Sequence, residues 1–75
     1  MTEAEILDGI ADVARRHVGW EGTLRPEQSL VEDLGLDSLK LLTLAVEVEN
    51  RFRVRLDDEA IVTVDDLVAA IQAQR

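Results

Sequence analysis

No cysteine occurs in these 75 residues. That excludes a disulfide framework, a thiolate metal site and a thiol nucleophile built into the chain, and it fits a reducing, cytoplasmic compartment. Aromatic residues are almost missing, Trp20 and Phe52 being the only two. The core must therefore be assembled from Leu, Ile, Val and Ala, a mixture suited to helix packing. Bases are half as numerous as acids, 8 against 16, and the formal charge is −8. Such a field repels nucleic acid phosphates and anionic membranes, which argues against both as partners and suits docking onto basic protein patches. Long apolar runs are lacking too. The longest, around "LLTLAV" at 41–46, falls far short of the ~20 residues needed to cross a bilayer. The start, "MTEAEILDGI", is acidic and is not a signal peptide; Met1 reads as a natural start, and a free-standing monomer is expected.

What is present is enough for one small domain over residues 1–75 with a thin core, since a chain this short buries only about 60% of its unfolded surface. Thr2 and Glu5 have capping-box spacing, and Ile6, Ile10, Val13 and Ala14 follow on one face, so a first helix is expected over 3–17. Gly19, Gly22 and Pro26 break the pattern and leave a long loop over 18–36, a length that tends to be functional. Leu24, Leu30, Leu34 and Leu36 can tuck beneath the helices, Ser29 and Glu32 can cap a turn, and Trp20 reads as a packing anchor. A second helix is expected over 38–51. "FRVRL" at 52–56 alternates like a strand but has no partner, so it is an extended connection. "DDEAI" at 57–61 makes about one helical turn, and Thr63 caps a last helix carrying Val64, Leu67, Val68 and Ile71 on one face. The fold class is all-α: three main helices and a short fourth, with the long loop between the first two.

The second helix has more apolar surface than a small bundle needs. At about 100° per residue, Leu41, Leu44, Ala45, Val48 and Phe52 form a core stripe. Leu39, Leu42 and Val46 form another, roughly 130° away. This second stripe is either covered by the loop or exposed as a docking surface. Exposure is the favoured reading, because Leu39 and Leu42 adjoin Ser38 at the helix entrance.

"DLGLDSLKLL" at 33–42 sets Ser38 after an acid at that entrance. Helix capping by Asp37 or Ser38 is one role. Nucleophilic catalysis is rejected: "GLDSL" lacks the second glycine of a nucleophile elbow. The single histidine, His17, reads as a helix C-terminal residue beside Arg15 and Arg16. Lys40 does not stand in S-x-x-K spacing, and no second catalytic group converges, so the chain is not read as an enzyme. "EDLGLD" lacks the calcium-loop pattern, the acids at 57–59 and 65–66 read as helix starts, and no metal is expected. Covalent modification remains, since a serine at a helix N-terminus suits a phosphodiester.

The order of features, "SLVEDLGLDSL" running into a two-striped helix, then Phe52, "VRL", "DDEA" and "TVDDLV", resembles the acyl carrier protein family across nearly the full chain. That family includes the carriers of fatty acid, polyketide and nonribosomal peptide synthesis. The resemblance implies that Ser38 receives 4′-phosphopantetheine from coenzyme A through a phosphopantetheinyl transferase. The arm's thiol would then hold acyl or aminoacyl cargo as thioesters and present them to loading and processing enzymes. It implies a partner surface of Asp37, Leu39, Leu42, Val46 and Glu47, and an aliphatic core that can open to shelter cargo. Lys40 and Thr43 stand where primary fatty acid carriers usually have acids, although Glu47 and Glu49 are kept. The expectation is therefore a polyketide-like or nonribosomal-type pathway, with a primary fatty acid or cell-envelope aminoacyl carrier as the competing reading. An unmodified helical interaction module is the rival of another class. Arg51, Arg53 and Arg55 read as a solvated connection or a partner-specific contact.

Overall fold

The computed structural model describes residues 1–75 apart from the side chain of Asp58. Three α-helices follow in order, α1 (Glu3–His17), α2 (Ser38–Phe52) and α3 (Val64–Gln74), with one 3₁₀ turn at Asp58–Ala60. Each helix begins where a side chain satisfies amides that the helix itself cannot. Thr2 Oγ1 accepts the Glu5 N–H at 3.2 Å, and Glu5 returns its carboxylate to the Thr2 N–H at 2.9 Å. Thr63 and Asp66 form the same reciprocal box at the head of α3. Asp57 accepts the Glu59 N–H at 3.1 Å and starts the 3₁₀ turn. The all-α expectation holds. The second helix runs one residue beyond 51, to Phe52, and ends at Arg53 in the left-handed region (φ 57°, ψ 51°).

Gly9 lies beside Phe52, Asp12 bonds Arg51, and His17 lies 3.7 Å from Glu47. Residues advancing along α1 meet residues receding along α2, so the two helices are antiparallel. Ile6, Ile10, Val13 and Ala14 of α1, Leu44, Val48 and Phe52 of α2, and Val64, Leu67, Val68 and Ile71 of α3 close on one another, and no polar residue is buried among those described. The close approach of α1 and α2 depends on Gly9, whose missing side chain leaves room for the Phe52 ring.

The long loop does pack beneath the helices: Leu24, Leu30, Leu34 and Leu36 are buried, and Trp20 packs part-buried against the core. Its backbone is also strapped to the start of α3, which local sequence does not reveal. Leu30 N–H donates to Val62 O at 3.0 Å, Val64 N–H to Gln28 O at 3.0 Å and Asp65 N–H to Pro26 O at 2.9 Å, around an isolated Ser29–Thr63 bridge. Ser29 Oγ accepts the Glu32 N–H at 3.1 Å, but the carboxylate that bonds back to the Ser29 N–H, at 2.6 Å, belongs to Asp33.

Of the basic run Arg51, Arg53 and Arg55, all exposed, only Arg51, within α2, has a side-chain ion pair among the described residues. Arg51 donates to Asp12 at 2.9 Å, beside the shorter-range pairs of Arg15 and Arg16 with the same carboxylate. The Arg55 backbone exchanges two bonds with the Gln74 side chain, at 2.8 and 2.6 Å. Glu49 accepts the Leu56 N–H at 2.8 Å, so this acid ties the connection down.

Three carboxylates sit below the ordinary range: Glu5, chiefly through its bond from the Thr2 backbone N–H, and the aspartates Asp12 and Asp66. Asp12 is lowered chiefly by its bond from Arg51 and Asp66 chiefly by the backbone N–H groups of Thr63 and Val62, each against a usual value of 3.8. A carboxylate held lower in the folded chain contributes stability above its unfolded pKa and loses it as pH falls through the folded value. The urea midpoint is therefore expected to be flat from neutrality down to about pH 4 and to fall below it. Asp66→Asn should make that acid-side fall shallower; an equally steep fall would show that Asp66 takes no part in it.

Candidate functional site

Ser38 owes its position to the turn before it. Gly35 takes a positive φ of 71°, a conformation that costs other residues about 1–2 kcal/mol. Its neighbours Leu34 and Leu36 are both buried, with their N–H groups donating to Ser29 O and Leu30 O. The two leucines anchor the turn, and Asp37 and Ser38 emerge from it exposed.

The capping role falls to Asp37. Its Oδ1 accepts the Lys40 N–H at 2.8 Å, and its backbone carbonyl accepts the Leu41 N–H at 2.8 Å. Ser38 is the first residue inside the helix, and among the described residues its hydroxyl has no hydrogen-bond partner. Among the described residues the Ser38 and Leu39 N–H groups likewise find no acceptor. An exposed hydroxyl is thus paired with two outward amides at the positive end of a 15-residue helix, a setting that favours an attached anion.

The second apolar stripe of α2 is uncovered. Leu39 is 72% exposed, Leu42 50% and Val46 42%, and Val62, just before α3, is 60%. The loop tucks under the core stripe instead. Glu47 sits apart from the strip: it is half-buried in the groove against α1, 3.7 Å from His17 Nε2. Thr43 donates its hydroxyl to Leu39 O at 2.9 Å. Lys40 is exposed and forms no ion pair among the described residues.

A cleft of about 190 Å³ opens beside Ser38, walled by Leu41, Leu42 and Ala45 on α2 and by Ile61 across from them. Leu41 and Ala45, read from sequence as core, form the edge of the core stripe that faces this cleft. Ile61 was missed as a site residue because it lies in the short link between the 3₁₀ turn and α3, with no periodicity to place it. A larger groove, about 570 Å³, runs between α1 and residues 22–24, lined by Leu7, Asp8, Arg15 and Leu24; Ser38 has no part in it. Among the described residues no cluster of histidines and acids could hold a metal, and no helix is long and apolar enough to cross a membrane.

The family described as "Phosphopantetheine attachment site" matches residues 5–71. A meromycolate extension acyl carrier protein of Mycobacterium tuberculosis is 40% identical over 76 residues; the match covers 96% of this chain and 66% of that protein. An acyl carrier protein of Kineococcus radiotolerans is 38% identical, with 97% of this chain and 96% of the relative covered. Among solved structures, a candidate acyl carrier protein from Mycobacterium tuberculosis superposes with a TM-score of 0.83 at 29% identity, covering 93% of this chain and 99% of that one. The helix order, the turn that presents a serine and matches that each cover more than nine tenths of this chain agree: the chain, which spans about two thirds of the length of its mycobacterial relatives, belongs to the acyl carrier proteins, a family of non-catalytic carriers whose working group is a covalently attached 4′-phosphopantetheine.

Proposed function

We propose that residues 1–75 form a single carrier domain in which Ser38 holds the 4′-phosphopantetheine arm. The observation that carries this reading is the division of labour at the head of α2: Asp37 caps the helix, and the neighbouring hydroxyl is left exposed and unbonded. The residues fit the group. Ser38 Oγ would supply the ester oxygen, and the Ser38 and Leu39 N–H groups, at the positive end of the helix dipole, would favour the phosphate's negative charge. The arm's thiol supplies the thioester link to an acyl group, and tethering raises that group's concentration at each partner enzyme.

The test is direct. The purified chain, incubated with coenzyme A and a promiscuous phosphopantetheinyl transferase, should gain the mass of one phosphopantetheine. An unchanged mass would favour the unmodified interaction module.

The exposed strip of Leu39, Leu42 and Val46, with Asp37 at its head, is the surface we assign to the transferase and to loading and processing enzymes. Glu47, turned toward His17, contributes at its margin. Leu42→Asp is expected to leave the helical circular dichroism and the melting temperature nearly unchanged, since exposed substitutions usually fall within about ±0.5 kcal/mol. It should also slow loading by the transferase. Unfolding instead would place Leu42 in the core.

For the cargo, the mycobacterial relatives, carriers of meromycolate extension, support a fatty-acyl chain. Lys40 and Thr43, in place of acids, support partner enzymes different from those of primary fatty acid synthesis, as in polyketide-like or nonribosomal-type pathways. The fatty-acyl reading is the better supported, because it rests on 40% identity over 76 residues.

A further inference from the structure

We propose that the seam between α1 and α2 is a second docking surface, one that takes an acidic segment of a partner protein. Lys40, Glu47 and Arg51 stand at i, i+7 and i+11 and so share one face of α2. That face lies roughly 130° round the helix from the strip of Leu39, Leu42 and Val46. Arg16 and His17 of α1 meet Asn50 and Arg51 there, around an open groove of about 250 Å³. Arg15 joins them through Asp12. Four of the chain's eight bases thus gather on the seam with only two of its sixteen acids, Asp12 and Glu47. Glu49 is turned away, accepting the Leu56 N–H.

These cations are positioned but not used up. Asp12 accepts one bond from each of Arg15, Arg16 and Arg51, at 2.6, 3.2 and 2.9 Å. A guanidinium carries five N–H donors in a fork that matches a carboxylate. Each of the three therefore keeps donors for a second acid, and all three are exposed. Lys40 is exposed as well and forms no ion pair among the described residues. The net charge of −8 opposes a nucleic acid or an anionic membrane, whose charge would extend over the acidic faces too. A short acidic peptide can lie on the seam alone. Lys40 and Arg51 are separated by about 16 Å of helix, a span that about six extended residues cover.

The test titrates the intact chain, before any loading, with end-blocked hexaglutamate and follows the arginine Nε–Hε signals by NMR. Those of Arg16 and Arg51 are expected to move, and those of Arg25, Arg53 and Arg55 to stay. Raising the ionic strength from about 0.01 to 0.15 M shortens the screening length from ~30 to ~8 Å and should weaken binding about tenfold. End-blocked hexaglutamine should leave every signal in place. Arg16→Gln combined with Lys40→Gln should weaken hexaglutamate binding about tenfold without moving the circular dichroism melt. If that pair does not fold, Lys40→Gln alone is titrated, since its side chain bonds nothing in the fold. No movement of Arg16 and Arg51, movement spread over all the arginines, or unchanged affinity in the variant overturns the proposal. Equal shifts from inorganic phosphate at the same ionic strength also overturn it, because the seam would then be a small-anion site. No arm is present in this titration, so its result is independent of the attachment at Ser38, which is read by mass.

Discussion

Ser38→Ala is expected to take up no phosphopantetheine under conditions in which the unaltered chain is converted completely, while its melting curve stays in place. The two halves of this result separate attachment from capping. Were Ser38 the cap, its loss would cost about 1 kcal/mol. The helix is instead capped by Asp37, whose carboxylate accepts the Lys40 N–H at 2.8 Å. The Ser38 side chain is exposed, and no hydrogen bond is lost with it, so the change should fall within about ±0.5 kcal/mol. Asp37→Ala should give the reverse pattern: about 1 kcal/mol of lost stability, with a mass gain still detectable because the hydroxyl remains. Intact-protein mass and urea unfolding of both variants decide the matter. A modified Ser38→Ala chain would place the arm elsewhere, and a destabilised one would return Ser38 to the helix cap.

Gly9→Val is expected to destabilise the domain by about 2–3 kcal/mol, the upper part of the range for overpacking a core. That corresponds to roughly 10–20 °C in melting temperature for a domain of this size. A Cβ at Gly9 would stand 2.5 Å from Cζ of Phe52 and 3.2–3.3 Å from its Cε atoms. The ring cannot swing clear into solvent, since Phe52 is 4% exposed and packed within the core. Helix propensity alone argues the other way, because glycine inside a helix is about 1 kcal/mol worse than alanine. A double-mutant cycle exposes the competition. Gly9→Ala should destabilise the unaltered chain yet stabilise the Phe52→Leu variant, in which the far ring atoms are gone. Stabilisation by Gly9→Ala in both backgrounds would mean that α1 and α2 do not rely on this close approach. Because a 75-residue domain has roughly 4–11 kcal/mol in all, a clash of this size should also reduce its yield in cells.

The parts of this protein that could be read from the chain are those in which cause and effect lie within a turn or two. Thr2 with Glu5, Asp37 with the Lys40 N–H, and Thr63 with Asp66 are contacts three residues apart, so the helix starts are visible in the letters. The apolar period of α1 and α3 marks their buried faces for the same reason. The surplus stripe of Leu39, Leu42 and Val46 is visible as well, because a helix of known pitch cannot turn both stripes to one core. So is the serine at the mouth of α2. Side chains whose partners lie far along the chain are a different matter. Arg51 reads as part of a basic run until Asp12, 39 residues away, is brought beside it. Nothing in the letters sets Glu47 3.7 Å from His17, or the Phe52 ring against Gly9, until α1 and α2 pack. The cleft beside Ser38 lies between α2 and Ile61, which come together only in the folded chain. Sequence by itself therefore determined the three helices and the exposed serine, because capping and periodicity are local. Tertiary structure alone decided which charges are engaged and what space lies next to that serine, because both depend on where separate segments meet.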